Sequence, residues 1–235
     1  MQQESVAVVV AHPDDEVLAF GGTICRHVDA GIPVNVLILA TGLAARTAGG
    51  VVDPKELEKL RNNARAAGAI LGLTEIEFAA FPDNRMDSVP LLDVVKEISA
   101  FIEKVDATTV YTHHVGDLNI DHSITARAVM TACRPLPDSH VRRIYAGEVI
   151  SSSEYSFRQD RFVPNIYGGI DRYLDRKCEA LKCYSTELRG WPHPRSVEAV
   201  VHLARLRGSE CGLTAAEALL LVFERIPEPA VRQMK

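Results

Sequence analysis

The chain has 235 residues, of which 47% are hydrophobic and 24% charged, a balance that excludes intrinsic disorder and suits a globular domain with a substantial core. A formal net charge of -5 argues against nucleic acid or anionic membranes as partners, because their binders present clustered basic surfaces. No apolar run approaches the ~18 residues of a membrane-spanning helix, and residues 1–4 lack a signal-peptide pattern, so we expect a cytoplasmic protein.

Apolar runs rich in β-branched residues alternate with amphipathic stretches over residues 1–150. This alternation predicts parallel βαβ units, and therefore an α/β fold of the Rossmann-like, three-layer type with a mostly parallel sheet. The predicted strands are Val6–Ala11, Val34–Ala40, Glu75–Phe81, Thr108–Thr112 and Val141–Ile150. The predicted helices are Glu16–Ala30, Pro54–Leu71, Pro90–Lys104 and Ser123–Cys133.

The last third of the chain has a different pattern. Ile170–Cys183, Ser196–Arg207 and Leu213–Arg225 have helical periodicity, whereas Leu43–Asp53 and Tyr155–Gly169 are interpreted as loops. We therefore predict a single domain over residues 1–235, with a Rossmann-like core in residues 1–150 and a mainly helical part in residues 151–235 that packs on it. The five scattered cysteines indicate buried apolar side chains rather than disulfides or zinc ligands.

Two polar clusters follow two of the predicted strands. The run Ala11-His12-Pro13-Asp14-Asp15-Glu16 follows the first strand, and the loop 113–122 follows the fourth. In doubly wound sheets these two strands are usually neighbours, and ligands bind outside their carboxyl ends. Burial of an imidazole and three carboxylates at the end of a strand costs free energy unless these groups share a cation or protons. We expect the two clusters to meet around a metal ion.

The spacing favours His12, Asp15 and His122 as ligands, since three protein ligands with one open position are typical of catalytic zinc sites. Asp14 is the candidate general base, which would deprotonate water at the metal. Asp117 and Asp121 are predicted to orient the ligands from behind. Ferrous iron accepts the same ligand set, so both Zn2+ and Fe2+ are open at this point.

These motifs resemble those of the PIG-L (LmbE-like) N-acetylglucosaminyl deacetylases. The similarity rests on the run 11–16 and on Asp121-His122, and weaker similarity at 41–42, 60–64, 151–154, 192–196 and 216–217 extends it over most of the chain. The resemblance implies a zinc enzyme with a small amino-sugar substrate or sugar conjugate. It also implies the same roles that the spacing favours for the three ligands and the base.

The chain departs from the family pattern at one position. Many members have a histidine three residues before the second-motif ligand, where it is thought to stabilise the oxyanion, and this chain has Asn119 there. An asparagine donates a hydrogen bond but no positive charge. The candidates for that charge are His114 in the same loop and His193 in the carboxyl-terminal turn, either of the same chain or of a neighbouring subunit in a homo-oligomer. By the same resemblance, Arg46 and Arg61 are candidates for contacts with sugar hydroxyls.

The favoured function is a metal-dependent hydrolase that removes the N-acetyl group from an N-acetylated amino sugar. One alternative is a non-haem iron(II) enzyme, because two histidines and a carboxylate also describe that site. The other is a non-catalytic sugar- or nucleotide-binding module on a Rossmann-like sheet. Gly21-Gly22 lies within a predicted helix and does not form a Gly-x-Gly-x-x-Gly turn, which argues against a phosphate cradle there.

Overall fold

The computed structural model describes residues 4–42, 53–157 and 160–226. Within them, the strands are β1 Val6–Val10, β2 Val34–Ala40, β3 Glu75–Phe81, β4 Thr109–His113, β5 Arg143–Gly147, β6 Ile166–Gly169 and β7 Ala216–Glu224. The α-helices are α1 Asp15–Asp29, α2 Pro54–Leu71, α3 Leu91–Lys104, α4 Ile120–Ala132, α5 Leu174–Lys182 and α6 Val197–Cys211.

The strands form one sheet in the order β3-β2-β1-β4-β5-β7-β6. The first five strands are parallel, and β7 runs antiparallel to both of its neighbours. The predicted fold class, an α/β protein with a mostly parallel sheet, is confirmed. Because β1 pairs with β4, the two polar clusters leave the sheet at adjacent strand ends.

The core lies on both faces of β1, whose side chains are all buried. Val8 and Val10 belong to the apolar cluster on the α1 and α5 side, and Ala7 and Val9 belong to the cluster under α3 and α4. Two covered faces explain why β1 is a continuous apolar run rather than an alternating one. Burial of each such valine contributes about 1.5–3 kcal/mol, so the strand that carries the first motif is firmly anchored.

Helix α2 shows why some boundaries were predicted to the residue. The side chain of Asp53 accepts a hydrogen bond from the backbone amide of Lys55, and Pro54 occupies the first helical position. Gly72 ends the helix at φ 85°, a conformation that favours glycine. None of the helices in the described ranges is long and apolar enough to cross a bilayer.

The C-terminal part is less helical than predicted. The predicted helix Leu213–Arg225 is wrong, because β7 occupies this stretch and pairs with β5 and β6. The loop predicted at Tyr155–Gly169 contains β6. A continuous apolar run is compatible with both a buried strand and a buried helix, so its periodicity does not distinguish them. Here the pairing with neighbouring strands determines the conformation.

Candidate metal centre

The first motif forms a turn that positions Asp14 and Asp15 at the start of α1. Asp14 has φ 105°, which is unusual for a residue other than glycine, and its amide donates to Glu16 Oε2 at 3.1 Å. The hydroxyl of Tyr184 donates to Glu16 Oε1. Burial raises the pKa of Glu16 to about 8. The last residue of the motif and Tyr184 therefore hold the backbone conformation of Asp14.

The structure brings the three predicted ligands together. His12 Nδ1 lies 3.3 Å from His122 Nε2 and 3.4 Å from Asp15 Oδ2, and these last two atoms are 3.2 Å apart. Tetrahedral zinc with bonds of ~2.0–2.1 Å requires ligand atoms about 3.3–3.4 Å apart. All three side chains are buried. The group therefore fits a divalent metal ion.

Carboxylates fix the orientation of the His12 ring. Its Nε2 lies 3.0 Å from Asp121 Oδ2 and 3.3 Å from Asp83 Oδ1, and Asp121 also accepts hydrogen bonds from the amides of Asn84 and Met86. A proton on Nε2 leaves the lone pair of Nδ1 directed at the centre. Although burial opposes the charged ring, hydrogen bonds to Asp121 and Asp15 raise its pKa to about 10. The carboxylates around His12 therefore favour a positive charge at this site, which a bound metal ion would also supply.

His122 has an equivalent arrangement. Its Nδ1 lies 3.3 Å from Asp117 Oδ1, and Asp117 accepts hydrogen bonds from the hydroxyls of Ser152 and Ser153. Burial opposes the charged form of His122, but Asp15 and Asp117 raise its pKa to about 9. Asp117 and Asp121 thus lie behind the two rings, and the orienting role of both stays a prediction.

His113, at the end of β4, was given no role from the sequence. Its ring stacks on His122 with centroids 3.9 Å apart, and its Nε2 accepts a hydrogen bond from the amide of Ala11 at 2.8 Å. Burial lowers the pKa of His113 to about 3, so the ring is neutral. It packs the second ligand against the end of β1.

Asp14 lies beside the ligands and has two unlike oxygens. Oδ2 is 3.4 Å from the guanidinium of Arg195, whereas Oδ1 is buried and has no hydrogen-bond partner in the described part of the chain. Burial raises the pKa of Asp14 to about 7, although Arg195 opposes the shift. A carboxyl group with this pKa can accept and return a proton near neutral pH.

A cleft of about 60 Å³ gives access to His12 and Asp14. Its lining residues are His12, Pro13, Asp14, Gly42, Leu60, Asp83, Asn84, Asn119, Glu187 and Arg195. Asp83, Glu187 and Arg195 are not among the site residues predicted from the sequence. Asp83 follows β3, so the tendency of ligands to bind at the carboxyl ends of parallel strands could have indicated it. Arg195 lies in a stretch of weaker family similarity. No sequence pattern marks Glu187 as a site residue.

Asn119, the residue at the departure from the family pattern, lines this cleft. Its Oδ1 accepts from the amide of Asp121 and caps α4, and its Nδ2 donates to Asn84 Oδ1 at 3.1 Å. The cleft lining does not include His114, His193 or Arg61.

The three residues outside the lining have other contacts. His114 Nε2 lies 2.7 Å from the carbonyl oxygen of Asp160. His193 is exposed, and its Nδ1 accepts from the amide of Arg195. The guanidinium of Arg61 lies 5.5 Å from the centre of the Phe78 ring. Arg46 lies outside the described residues. The catalytic or binding roles of all four stay predictions.

The model of the GlcNAc-PI de-N-acetylase (PIG-L) family matches residues 7–133, which include the three predicted ligands and Asp14. The chain belongs to the PIG-L family. One relative of this PIG-L chain, a probable N-acetyl-alpha-D-glucosaminyl L-malate deacetylase 2 of Bacillus cereus, is 25% identical over 79% of this chain and 84% of its own. Another, a 4-oxalmesaconate hydratase of Pseudomonas putida, is 27% identical over 96% of this chain and 92% of its own.

The fold of the PIG-L chain also matches solved structures. An N,N'-diacetylchitobiose deacetylase from Pyrococcus horikoshii superposes with a TM-score of 0.76 at 17% identity, covering 93% of this chain and 83% of the other. At this identity the match concerns the fold alone. The two sequence relatives named above are a probable deacetylase and a hydratase.

Proposed function

We propose that this PIG-L protein is a metal-dependent hydrolase that removes the N-acetyl group from an N-acetylated amino sugar or its conjugate. The observation that carries the proposal is the position of Asp14, whose Oδ1 has no hydrogen-bond partner among the described residues, next to three candidate ligand atoms spaced for one ion. The deacetylase named among the relatives supports this reaction class.

The ion proposed is Zn2+, held by His12, Asp15 and His122, with Fe2+ as the other ion that this ligand set accepts. When bound, such an ion polarises a carbonyl oxygen and lowers the pKa of a water molecule beside it. The two oriented imidazoles present their lone pairs to the same point as Asp15 Oδ2. Residues of the cleft are proposed to transfer the proton and to stabilise the acyl oxygen.

Asp14 is the proposed general base. Its Oδ1 takes a proton from water as the water oxygen attacks the acetyl carbon, and the protonated carboxyl group then returns the proton to the nitrogen as the C–N bond breaks. The products are acetate and a free amine. Asn119 lines the same cleft and is the proposed hydrogen-bond donor to the acyl oxygen.

Metal analysis and acetate release test the proposal together. The purified protein is analysed for bound metal and then assayed with N-acetylated sugars, nucleotide sugars and glycolipids for acetate and the loss of one acetyl group. The Asp14→Asn variant should retain metal and lose at least about 100-fold in kcat. Asp93→Asn, an exposed aspartate on α3, is the matched control. Full activity of Asp14→Asn would remove Asp14 from its role.

Hydration of an unsaturated carboxylic acid is the second candidate. The hydratase relative aligns with 96% of this chain, against 79% for the deacetylase of Bacillus cereus, and so includes most of the C-terminal part. A hydratase also needs a base that removes a proton from water. Loss of ultraviolet absorbance from a conjugated oxo- or hydroxy-dicarboxylic acid, without acetate release from any amide, would favour hydration over deacetylation.

The same preparations separate the two remaining alternatives. Iron-dependent oxygen consumption would favour a non-haem iron enzyme. Sugar or nucleotide binding by metal-stripped protein, with no turnover under any metal, would favour a binding module. Either result would exclude hydrolysis as the main activity.

A further inference from the structure

Arg195 reaches the candidate active site from the segment between α5 and α6, far beyond the residues that the family model matches. Its Nη1 lies 3.4 Å from Asp14 Oδ2 and 3.5 Å from Glu187 Oε2. Its Nε donates to the hydroxyl of Ser151 at 2.9 Å. The guanidinium is therefore held from two sides while one of its edges faces the proposed base.

This contact makes the two oxygens of Asp14 inequivalent. Oδ2 faces a fixed positive charge, whereas Oδ1 is buried and without a hydrogen-bond partner among the described residues. A carboxylate oxygen beside a guanidinium is the poorer proton acceptor, because a proton there would meet the positive charge. The other oxygen is then the one that accepts the proton from water.

We propose that Arg195 is a positioning residue that holds Asp14 Oδ2 and thereby directs Oδ1 at the water molecule that reacts. The inference rests on the proposed function, in which Asp14 is the base. It assigns to the C-terminal segment a part in catalysis that the matched residues 7–133 do not contain.

Binding of an anionic substrate group is a weaker interpretation of Arg195. The guanidinium already faces the carboxylates of Asp14 and Glu187, and Glu187 is only 5% exposed. An anion bound at Arg195 would approach both carboxylates, whose repulsion offsets the attraction of one guanidinium. If Arg195 instead positions Asp14, no further anion has to approach the two carboxylates.

Arginine is required for this geometry. One planar guanidinium donates through Nε to Ser151 while Nη1 faces Asp14, whereas a lysine ammonium is a single point charge on a flexible stem. The backbone of Asp14 is held separately by Glu16. Loss of Arg195 should therefore leave the motif folded, while it frees the carboxylate of Asp14 and removes the contacts with Glu187 and Ser151.

The test compares Arg195→Met and Arg195→Lys with the control variant Arg189→Met. Arg189 is an exposed arginine of the same segment, and its guanidinium donates to the carbonyl oxygens of Thr186 and Leu188. Metal content, KM and kcat are measured for each protein with whichever substrate the wild type converts. We expect Arg195→Met to lose about 10–100-fold in kcat with KM and metal content within about twofold. Arg195→Lys should recover part of that loss, and Arg189→Met should match the wild type.

Added guanidinium ion provides a readout that a purely structural role would not change. Millimolar guanidinium should restore part of the kcat of Arg195→Ala and leave Arg189→Ala unchanged. A loss confined to KM, or a kcat of Arg195→Met equal to the wild type, would overturn the proposal.

Crystal structures keep this test separate from the test of deacetylation. If the wild type releases no acetate from any substrate, the proposed function fails, and the structures of the wild type and Arg195→Lys still decide the positioning role. A reoriented or multiply oriented Asp14 carboxylate in the variant supports that role. An Asp14 carboxylate unchanged from the wild type overturns it.

Discussion

His12 Nδ1 and His122 Nε2 lie 3.3 Å apart, although 110 residues separate the two histidines in the sequence. The neighbouring strands β1 and β4 account for the approach, since each histidine follows one of them. Behind each ring stands a carboxylate, Asp121 for His12 and Asp117 for His122. Imidazoles that carboxylates orient from behind toward one point are typical of metal sites, which supports the ligand role proposed for both histidines.

Loss of a ligand should therefore remove the metal. We expect His122→Asn to bind less than about a tenth of the metal that the wild type retains after dialysis, because only two protein ligands remain. Chelation of the wild type should lower its Tm, since metal binding stabilises only the folded state, and added Zn2+ should restore it. His202→Asn, an exposed site on α6, serves as control. Equal metal content in both variants would contradict the ligand assignment.

The carboxylates behind the rings should tune metal affinity without being ligands. Asp121→Asn keeps the size of the side chain but weakens its hold on the Nε2 proton of His12, so we expect metal affinity to fall about 10–100-fold. Competition with a chromophoric chelator measures the change. Asp87→Asn, at an exposed aspartate that directly follows Met86, should leave affinity within about twofold. An Asp121→Asn affinity as high as the wild type's would contradict the orienting role.

Much of the fold followed from the sequence, for physical reasons visible in particular elements. The run 6–10 has both faces covered, so it is apolar throughout, and α2 carries its own start and stop signals in Asp53, Pro54 and Gly72. The meeting of the two polar clusters needed only the rule that ligands gather at the ends of neighbouring parallel strands. These features depend on short stretches of sequence or on the order of the strands, so the sequence alone could predict them.

The missed features depend on contacts between distant segments. The sequence of β7 predicts a helix because its apolar run fits both periods, and its conformation depends on pairing with β5 and β6. Arg195 contacts Asp14 although 181 positions separate them in the sequence, and nothing in the proline-rich turn around Arg195 indicates such a partner. Tyr184 meets Glu16 in the same way.

A buried ion pair away from the active site should carry a large share of stability. Lys177 Nζ lies 2.6 Å from Glu217 Oε1 and also donates to the carbonyl of Leu18, and the carboxylate of Glu217 accepts from the amides of Gly22 and Thr23. The pair thus joins α5 and β7 to the middle of α1. Removing one partner leaves a buried charge without its counterion, a change that destabilises proteins by about 3–5 kcal/mol.

We expect Lys177→Met to lower the free energy of unfolding in urea by about 3 kcal/mol. Lys182→Met removes an exposed pair with Glu179 and should cost less than about 1 kcal/mol. The double variant Lys177→Met/Glu217→Gln should lose less than the sum of its single variants, because no charge is left unpaired. Equal losses from the buried and the exposed lysine would contradict the assigned role of the pair.

His27 should make the fold sensitive to mild acid. Burial, aided by the charge of Arg26, lowers the pKa of His27 to about 4, and its Nε2 pairs with the hydroxyl of Tyr111 at 2.8 Å. In the unfolded chain the ring binds a proton below its ordinary pKa of ~6.5, whereas the folded protein excludes that proton until about pH 4. The unfolded state therefore binds more protons between these values, and stability falls as the pH decreases through that window.

Replacement of His27 by glutamine should remove this contribution. We expect wild-type stability to drop more than that of His27→Gln between pH 7 and pH 5, with a difference of about 1–2 kcal/mol in urea unfolding. Glutamine can still hydrogen-bond to Tyr111, so the comparison isolates the proton from the contact. His202→Gln, at an exposed position, should keep the full acid sensitivity of the wild type. If His27→Gln lost as much stability as the wild type over this range, the acid sensitivity would have to come from other groups.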